Sequence, residues 1–141
     1  MKKNILTTLV ILSSRASGFA QGKTPAAATT TFSKLFPDAT NVKWGKENDH
    51  NYEAEFKWKG VSYSANFSDK GEWLETESPF TFIELPEKVQ QAYNTAHKGA
   101  TVKEVAKIET SKQGTIYEVE MKQGMKTVEL FYKSDGTETK E

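Results

Sequence analysis

Apolar and polar residues alternate without a break over residues 52–58 and again over residues 61–67. A period of two is typical of β-strands that bury one face. The two residues between these segments end in Gly60 and suit a tight hairpin loop, because glycine tolerates a positive φ. That loop pairs Phe56 with Tyr63 and places the charged residues together on the other face. We therefore predict an antiparallel hairpin with one apolar and one polar face.

A second part of the chain repeats this pattern. "YEAEF" at residues 52–56 corresponds to "YEVEM" at residues 117–121, and "FSDKGEW" at residues 67–73 corresponds to "YKSDGTE" at residues 132–138. Both correspondences have an offset of 65 residues, and together they exceed what shared turn residues would produce. The repetition predicts an internal duplication.

The turns set the predicted register of the second hairpin. Its loop is predicted at the two residues that end in Gly124. That loop places Glu118 opposite Glu129, and Ile116 opposite Phe131, all on the polar face.

Two more two-residue turns are predicted at residues 70–71 and 135–136, each of which ends in glycine. The first turn would pair Phe67 with Leu74. It therefore predicts Trp73 on the polar face.

Each repeat is predicted to begin with a helix. Residues 32–36 place three apolar side chains on one helical face, and Pro37 prevents continuation. Residues 89–96 also have apolar side chains at helical spacing. A further strand, "NVKW" or "EVAKIE", precedes each hairpin. The predicted fold class is α+β: a tandem duplication of a helix and a four-stranded antiparallel meander, with the helices on one face of the sheet and repeats at about residues 32–78 and 79–141.

The first 20 residues have the features of a secretory signal peptide. Two lysines precede the apolar run "ILTTLVIL", and Gly18 and Ala20 occupy the small-residue positions of a cleavage site. The run is too short to span a bilayer, so no membrane insertion is expected. These features predict a periplasmic or secreted protein with a flexible leader at residues 21–31 and one domain at residues 32–141. The chain contains no cysteine, so neither a lipid anchor nor a disulfide is expected.

Charge excludes some partners, and no motif supports catalysis. The signal peptide contains three of the 19 basic residues and none of the 19 acidic residues, so the rest of the chain has a net charge of −3. Nucleic acid or an anionic membrane would require a basic stripe, so neither is expected as a partner. His50 and His97 lack convergent partners and are predicted to be surface residues. Without a phosphate loop, a nucleophile elbow or a calcium loop, the chain is predicted to be non-enzymatic, with no cofactor and no metal.

Apolar residues on the polar face indicate a binding role. Ile116, Phe131 and Trp73 are predicted there, and buried aromatic anchors dominate the affinity of protein interfaces. We expect them to anchor a protein or peptide partner. The flanking charges of this surface are Glu53, Glu55, Lys57, Glu118, Glu120 and Glu129. The alternative is a small-ligand or envelope-stress binding module with a pocket between the sheet and the helices.

Four stretches carry a family resemblance: "FSKLFPDATNVKWGKENDHNYEAEFKWKG", "DKGEWLETE", "ELPEKVQQAY", and "YEVEMKQG" with the later "ELFYKSDG". They resemble the PepSY-like, β-lactamase-inhibitor-protein-like (BLIP-like) domains of secreted bacterial proteins. The resemblance implies tandem units joined into one curved antiparallel sheet, and it transfers no catalytic residue. β-Lactamase inhibitory protein clamps an enzyme with its concave sheet, and PepSY modules occur in protease propeptides. The resemblance therefore implies an inhibitor-like module, although this chain lacks the disulfides of the inhibitor.

Overall fold

The computed structural model describes residues 23–141, which form two α-helices and one antiparallel sheet of eight strands. This architecture confirms the α+β prediction; the duplication and the domain bounds stay predictions. The predicted signal peptide lies outside the described residues. The helices are α1 (Ala26–Leu35) and α2 (Glu87–Ala96), with a 3₁₀ turn at Phe82–Glu84, and the strands are β1 (Thr40–Lys46), β2 (Asn51–Trp58), β3 (Val61–Ser68), β4 (Trp73–Phe80), β5 (Thr101–Thr110), β6 (Gly114–Gln123), β7 (Lys126–Lys133) and β8 (Glu138–Thr139).

The sheet is a simple meander in which each strand pairs with the next along the chain, from β1 to β8. In the β2–β3 hairpin, Phe56 pairs with Tyr63, as predicted. The loop residues Lys59 and Gly60 have φ values of 51° and 81°, which the tight hairpin turn of the mirror-image type requires. The predicted register of this hairpin is confirmed.

The predicted register of β6 and β7 is wrong by two residues. The loop lies at Gly124 and Met125, so Met121 pairs with Val128 rather than with Lys126. The observed pairing brings apolar side chains together on the helix-facing side, whereas the predicted one would set a lysine against a core methionine. A shift of two residues leaves every side chain on its predicted face.

This shift changes the partners of the candidate site residues. Glu118 lies opposite Phe131 rather than Glu129, and Glu129 lies opposite Glu120. Ile116 lies opposite Lys133 rather than Phe131, and it is fully buried.

The two glycine-containing turns have the same geometry, and it differs from the prediction. The amide of Gly71 donates to the carbonyl of Ser68 at 3.0 Å, and the amide of Gly136 donates to the carbonyl of Lys133 at 2.9 Å. The two glycines have φ values of 85° and 84°. Each turn is a three-residue loop that ends in a left-handed glycine, rather than a two-residue loop.

The additional loop residue moves Trp73 to the helix-facing side of the sheet. Trp73 pairs with Phe67, packs against the core beneath α1, and donates from Nε1 to Thr76 Oγ1 at 2.8 Å. A bulge at Leu74 then restores the register, which returns Glu75 to the opposite face. The prediction that Trp73 lies on the polar face is wrong.

Helix α1 begins within the predicted flexible leader. It starts at Ala26, after Pro25, and Ala28 is completely buried in the core. Thr31 Oγ1 donates to the carbonyl of Gly71 at 2.7 Å. Contacts with the β3–β4 turn therefore order residues that the composition predicted to be flexible.

Both helices pack on the same face of the sheet and bury two hydrophobic clusters. The cluster under α1 includes Phe32, Phe56 and Phe67, and the cluster under α2 includes Val89 and Tyr132. The opposite surface of the sheet, which we call the open face, carries no helix from residues 23–141. Neither helix of these residues is long and apolar enough to cross a membrane.

Candidate binding groove

A groove runs across the open face and is lined by residues from seven strands, β1 to β7. One groove can reach so many strands because the sheet curves around it, as twisted antiparallel sheets do. Its volume is about 1890 Å³. Polar strand positions form its floor, among them Ser62, Ser64, Asn66 and Thr127.

The groove is strongly acidic. Its lining contains ten glutamates and four lysines. With all of these side chains ionised, the glutamates exceed the lysines by six charges. The glutamates are Glu47, Glu53, Glu55, Glu75, Glu77, Glu104, Glu118, Glu120, Glu129 and Glu141.

Three of the glutamates form a row across adjacent strands. Glu104 on β5 lies opposite Glu120 on β6, which in turn lies opposite Glu129 on β7. Like charges in directly opposed positions lower the stability of a sheet.

Glu118 is the most deeply buried of the acidic side chains in this groove, with 6% of its surface exposed. Its neighbours across the sheet are Ala106 and Phe131, neither of which offers a side-chain donor. Within residues 23–141 its carboxylate has no hydrogen bond or ion pair. Burial, together with the negative charges of nearby glutamates such as Glu77, raises the pKa of Glu118 to about 8.

Three other groove glutamates also hold protons near neutral pH. Burial raises the pKa of Glu141 to about 7, and the charge of Glu75 adds to the effect. Burial raises the pKa of Glu53 to about 7, and the charge of Glu47 adds to the effect. Burial likewise raises the pKa of Glu77 to about 7, with further contributions from glutamates that include Glu75. At neutral pH the groove therefore contains both ionised carboxylates and protonated carboxyl groups. A bound cation would favour loss of the protons from the protonated groups.

The six charged residues predicted for the binding surface all line this groove: Glu53, Glu55, Lys57, Glu118, Glu120 and Glu129. The three predicted apolar anchors do not. Trp73 faces the helices, and Ile116 is buried opposite Ile108 and Lys133. Phe131 lies on the open face but is partly buried beside Glu118.

Sequence reasoning missed Glu77 and Glu104 as site residues. Glu77 occupies an alternate position in "LETE" and could have been found from the strand period. Glu104 was harder to assign, because a bulge between Val102 and Glu104 shifts its pairing.

The structure also bears on the histidines and on metal binding. His50 is exposed, with Nδ1 at 3.2 Å from Asp69 Oδ2, as expected of a surface residue. His97 is partly buried, with 18% of its side chain exposed, and packs on Tyr93 with ring centroids 5.5 Å apart, so it is less exposed than predicted. Within residues 23–141 no group of three or more potential metal ligands is arranged to hold an ion.

The sequence of residues 50–139 matches a family model described as "Putative beta-lactamase-inhibitor-like, PepSY-like". The chain belongs to this family. The match confirms the resemblance seen in the sequence, and it covers strands β2 to β8 and helix α2. No curated protein matches the sequence.

Solved structures have the same fold. A DUF2874 family protein from Bacteroides ovatus is 27% identical, with a TM-score of 0.73, over 84% of this chain and 87% of its own. A BLIP-like protein from Bacteroides fragilis is 26% identical, with a TM-score of 0.73, over 85% of this chain and 86% of its own. A structure from Bacteroides eggerthii described as "putative periplasmic proteins" is 18% identical, with a TM-score of 0.75, over 84% of this chain and 88% of its own.

Proposed function

We propose that this protein is a non-enzymatic, inhibitor-like binding module that engages a protein or peptide partner through the groove on its open face. The observation that carries the proposal is the groove itself, which collects polar and charged side chains from seven strands on the side opposite the helices. The protein's membership in a family described as β-lactamase-inhibitor-like supports a binding role over catalysis.

The size of the groove favours a macromolecular partner over a small ligand. Small-molecule sites usually have volumes of about 300–1,000 Å³ and are mostly apolar. This groove has a volume of about 1890 Å³ and a lining rich in charge. The space between sheet and helices, which the small-ligand alternative requires, is occupied by the two hydrophobic clusters.

We further propose that the protein acts in the periplasm or outside the cell. The signal-peptide features of residues 1–20 support this location, as does the description of the structure from Bacteroides eggerthii. Cell fractionation of the expressed protein, with N-terminal sequencing, would test it; a product that retains Met1 would contradict it.

Blocking the groove would test the proposed function. Ser64 lies on the floor between Glu55 and Glu77, so Ser64→Trp should fill the groove and reduce capture of partners from an envelope extract. Asn94→Trp, on the exposed side of α2, adds the same bulk to the opposite layer and is the control. Capture that is equal for the wild type and both variants, at equal thermal stability, would exclude the groove as the binding surface.

A further inference from the structure

We infer that the groove recognises a cationic segment, an extended stretch of a partner protein that carries several lysine or arginine side chains. This inference rests on the proposed function, because it names the chemistry of the partner that the same groove would bind.

The first support is charge complementarity. Ten glutamates face four lysines in the lining. Glu118 and Glu77 form no ion pair within residues 23–141. On the helix-facing side, by contrast, Glu109 lies 2.7 Å from Lys107 Nζ and accepts a hydrogen bond from Thr115 Oγ1. Glu109 is thus neutralised by neighbouring groups, whereas Glu118 and Glu77 have no cation beside them among the described residues.

The second support is Glu118 itself. A carboxyl group that is buried without a hydrogen bond loses its hydration and gains nothing in return. An arginine guanidinium would supply paired N–H donors and an opposite charge, and a lysine ammonium would supply three donors. Asn66 adds a second unused group in the same groove, since its Oδ1 is buried without a hydrogen-bond partner in the described residues.

The dimensions suit an extended peptide. Glu53 on β2 and Glu129 on β7 lie five strand spacings apart, which at about 4.8 Å each is roughly 24 Å along the sheet. An extended chain of about seven residues covers that distance. Pro79 and Ala106, which pair across β4 and β5 on the open face, also line the groove and offer apolar surface to the aliphatic stems of long basic side chains.

Hepta-arginine is a suitable probe, with hepta-glutamate as the matched anionic control. Titrated into the full-length protein at low salt and pH 7, hepta-arginine should bind and hepta-glutamate should not. Binding should weaken at least tenfold at about 0.5 M salt, because screening reduces charge–charge attraction. Calorimetry in two buffers of different ionisation enthalpy should detect proton release, since a bound cation favours the ionised form of the protonated groove carboxyls.

Single-charge variants locate the binding. Glu118→Gln and Glu77→Gln should each weaken hepta-arginine binding about fivefold or more, and Glu118→Gln should reduce the proton release. Glu87→Gln makes the same side-chain change at the exposed start of α2, and its affinity should stay within about twofold of the wild type.

Three results would overturn the inference: no preference for hepta-arginine over hepta-glutamate, equal weakening by Glu87→Gln and Glu118→Gln, or displacement of the peptide by spermine at equal affinity. The last result would show that the groove takes small polycations rather than a protein segment. If any of these results is obtained and Ser64→Trp nevertheless abolishes partner capture, the groove binds a protein by other chemistry. The cationic inference then fails, while the proposed function stands.

Discussion

Glu118 on β6 lies directly opposite Phe131 on β7, so the most buried acidic side chain of the groove adjoins a partly buried aromatic ring. Opposed side chains on neighbouring strands have β-carbons about 4.5–5.5 Å apart, close enough for the ring to keep water from the carboxyl. Phe131 was expected to be an anchor for a partner. Its position indicates a second role, which is to maintain the burial that raises the pKa of Glu118.

Replacement of Phe131 by alanine should therefore have an effect that depends on pH. At pH 5, where Glu118 is protonated, we expect Phe131→Ala to lower the free energy of unfolding by about 1–2 kcal/mol through lost burial. At pH 9 the loss should be smaller, because water that reaches Glu118 stabilises its ionised form. Urea denaturation at both pH values measures the difference. An equal loss at both would mean that Phe131 does not shield the carboxyl.

The raised pKa of Glu118 predicts how stability changes with pH. Its pKa is about 8 in the folded protein against an ordinary value of 4.5, so between these values the folded state holds more protons than the unfolded state. Stability should thus be greatest near pH 5 and decline by a few kcal/mol as the pH rises towards 9. Glu118→Gln should reduce this decline. Glu53 and Glu77, whose pKa values are also raised, should account for much of the pH dependence that this variant retains. Glu87→Gln is the control; the same pH profile in wild type and Glu118→Gln would contradict the prediction.

The glycines of the two three-residue turns should tolerate no side chain. A β-carbon at Gly71 would lie 2.7 Å from the carbonyl oxygen of Ala27, and one at Gly136 would lie 2.5 Å from that of Lys88. Gly60 also has a positive φ, but its β-carbon would meet nothing within 4 Å. We expect Gly60→Ala to cost about 1 kcal/mol from backbone strain alone, and Gly71→Ala or Gly136→Ala to cost about 3 kcal/mol or more. Thermal denaturation would test the ranking, and similar costs at all three sites would refute the packing of these turns on the helices.

The two faces of the first hairpin should respond differently to truncation. Phe56 is 3% exposed and its ring lies 4.6 Å from that of Phe36, so Phe56→Ala should cost about 3–5 kcal/mol. The adjacent Glu55 is exposed on the groove side, and Glu55→Ala should stay within about 0.5 kcal/mol of the wild type. Denaturant unfolding of the two variants would check this, and comparable losses would contradict the register.

The sequence alone determined the first hairpin, the second helix, the helix-facing and open faces of the sheet, and the acidic character of the open face. Each depends on a local signal. Uninterrupted alternation excludes a one-residue slip between β2 and β3, because such a slip would bury charges. Helical spacing and the flanking proline mark α2 in the same way.

Tertiary structure decided the register of β6 and β7, the position of Trp73 and the burial of Glu118, because each depends on contacts between residues that are distant in sequence. A two-residue slip between β6 and β7 preserves both faces, so only the packing of Met121 against Val128 beneath α2 selects the register. The length of the β3–β4 turn determines which face of the sheet Trp73 occupies. That length depends on how Gly71 packs against the start of α1. Curvature of the sheet draws groove side chains from seven strands together, which buries Glu118 and joins glutamates that lie far apart in the chain. Alternation assigns a residue to a face of a strand, whereas its exposure on that face depends on strands that are distant in sequence.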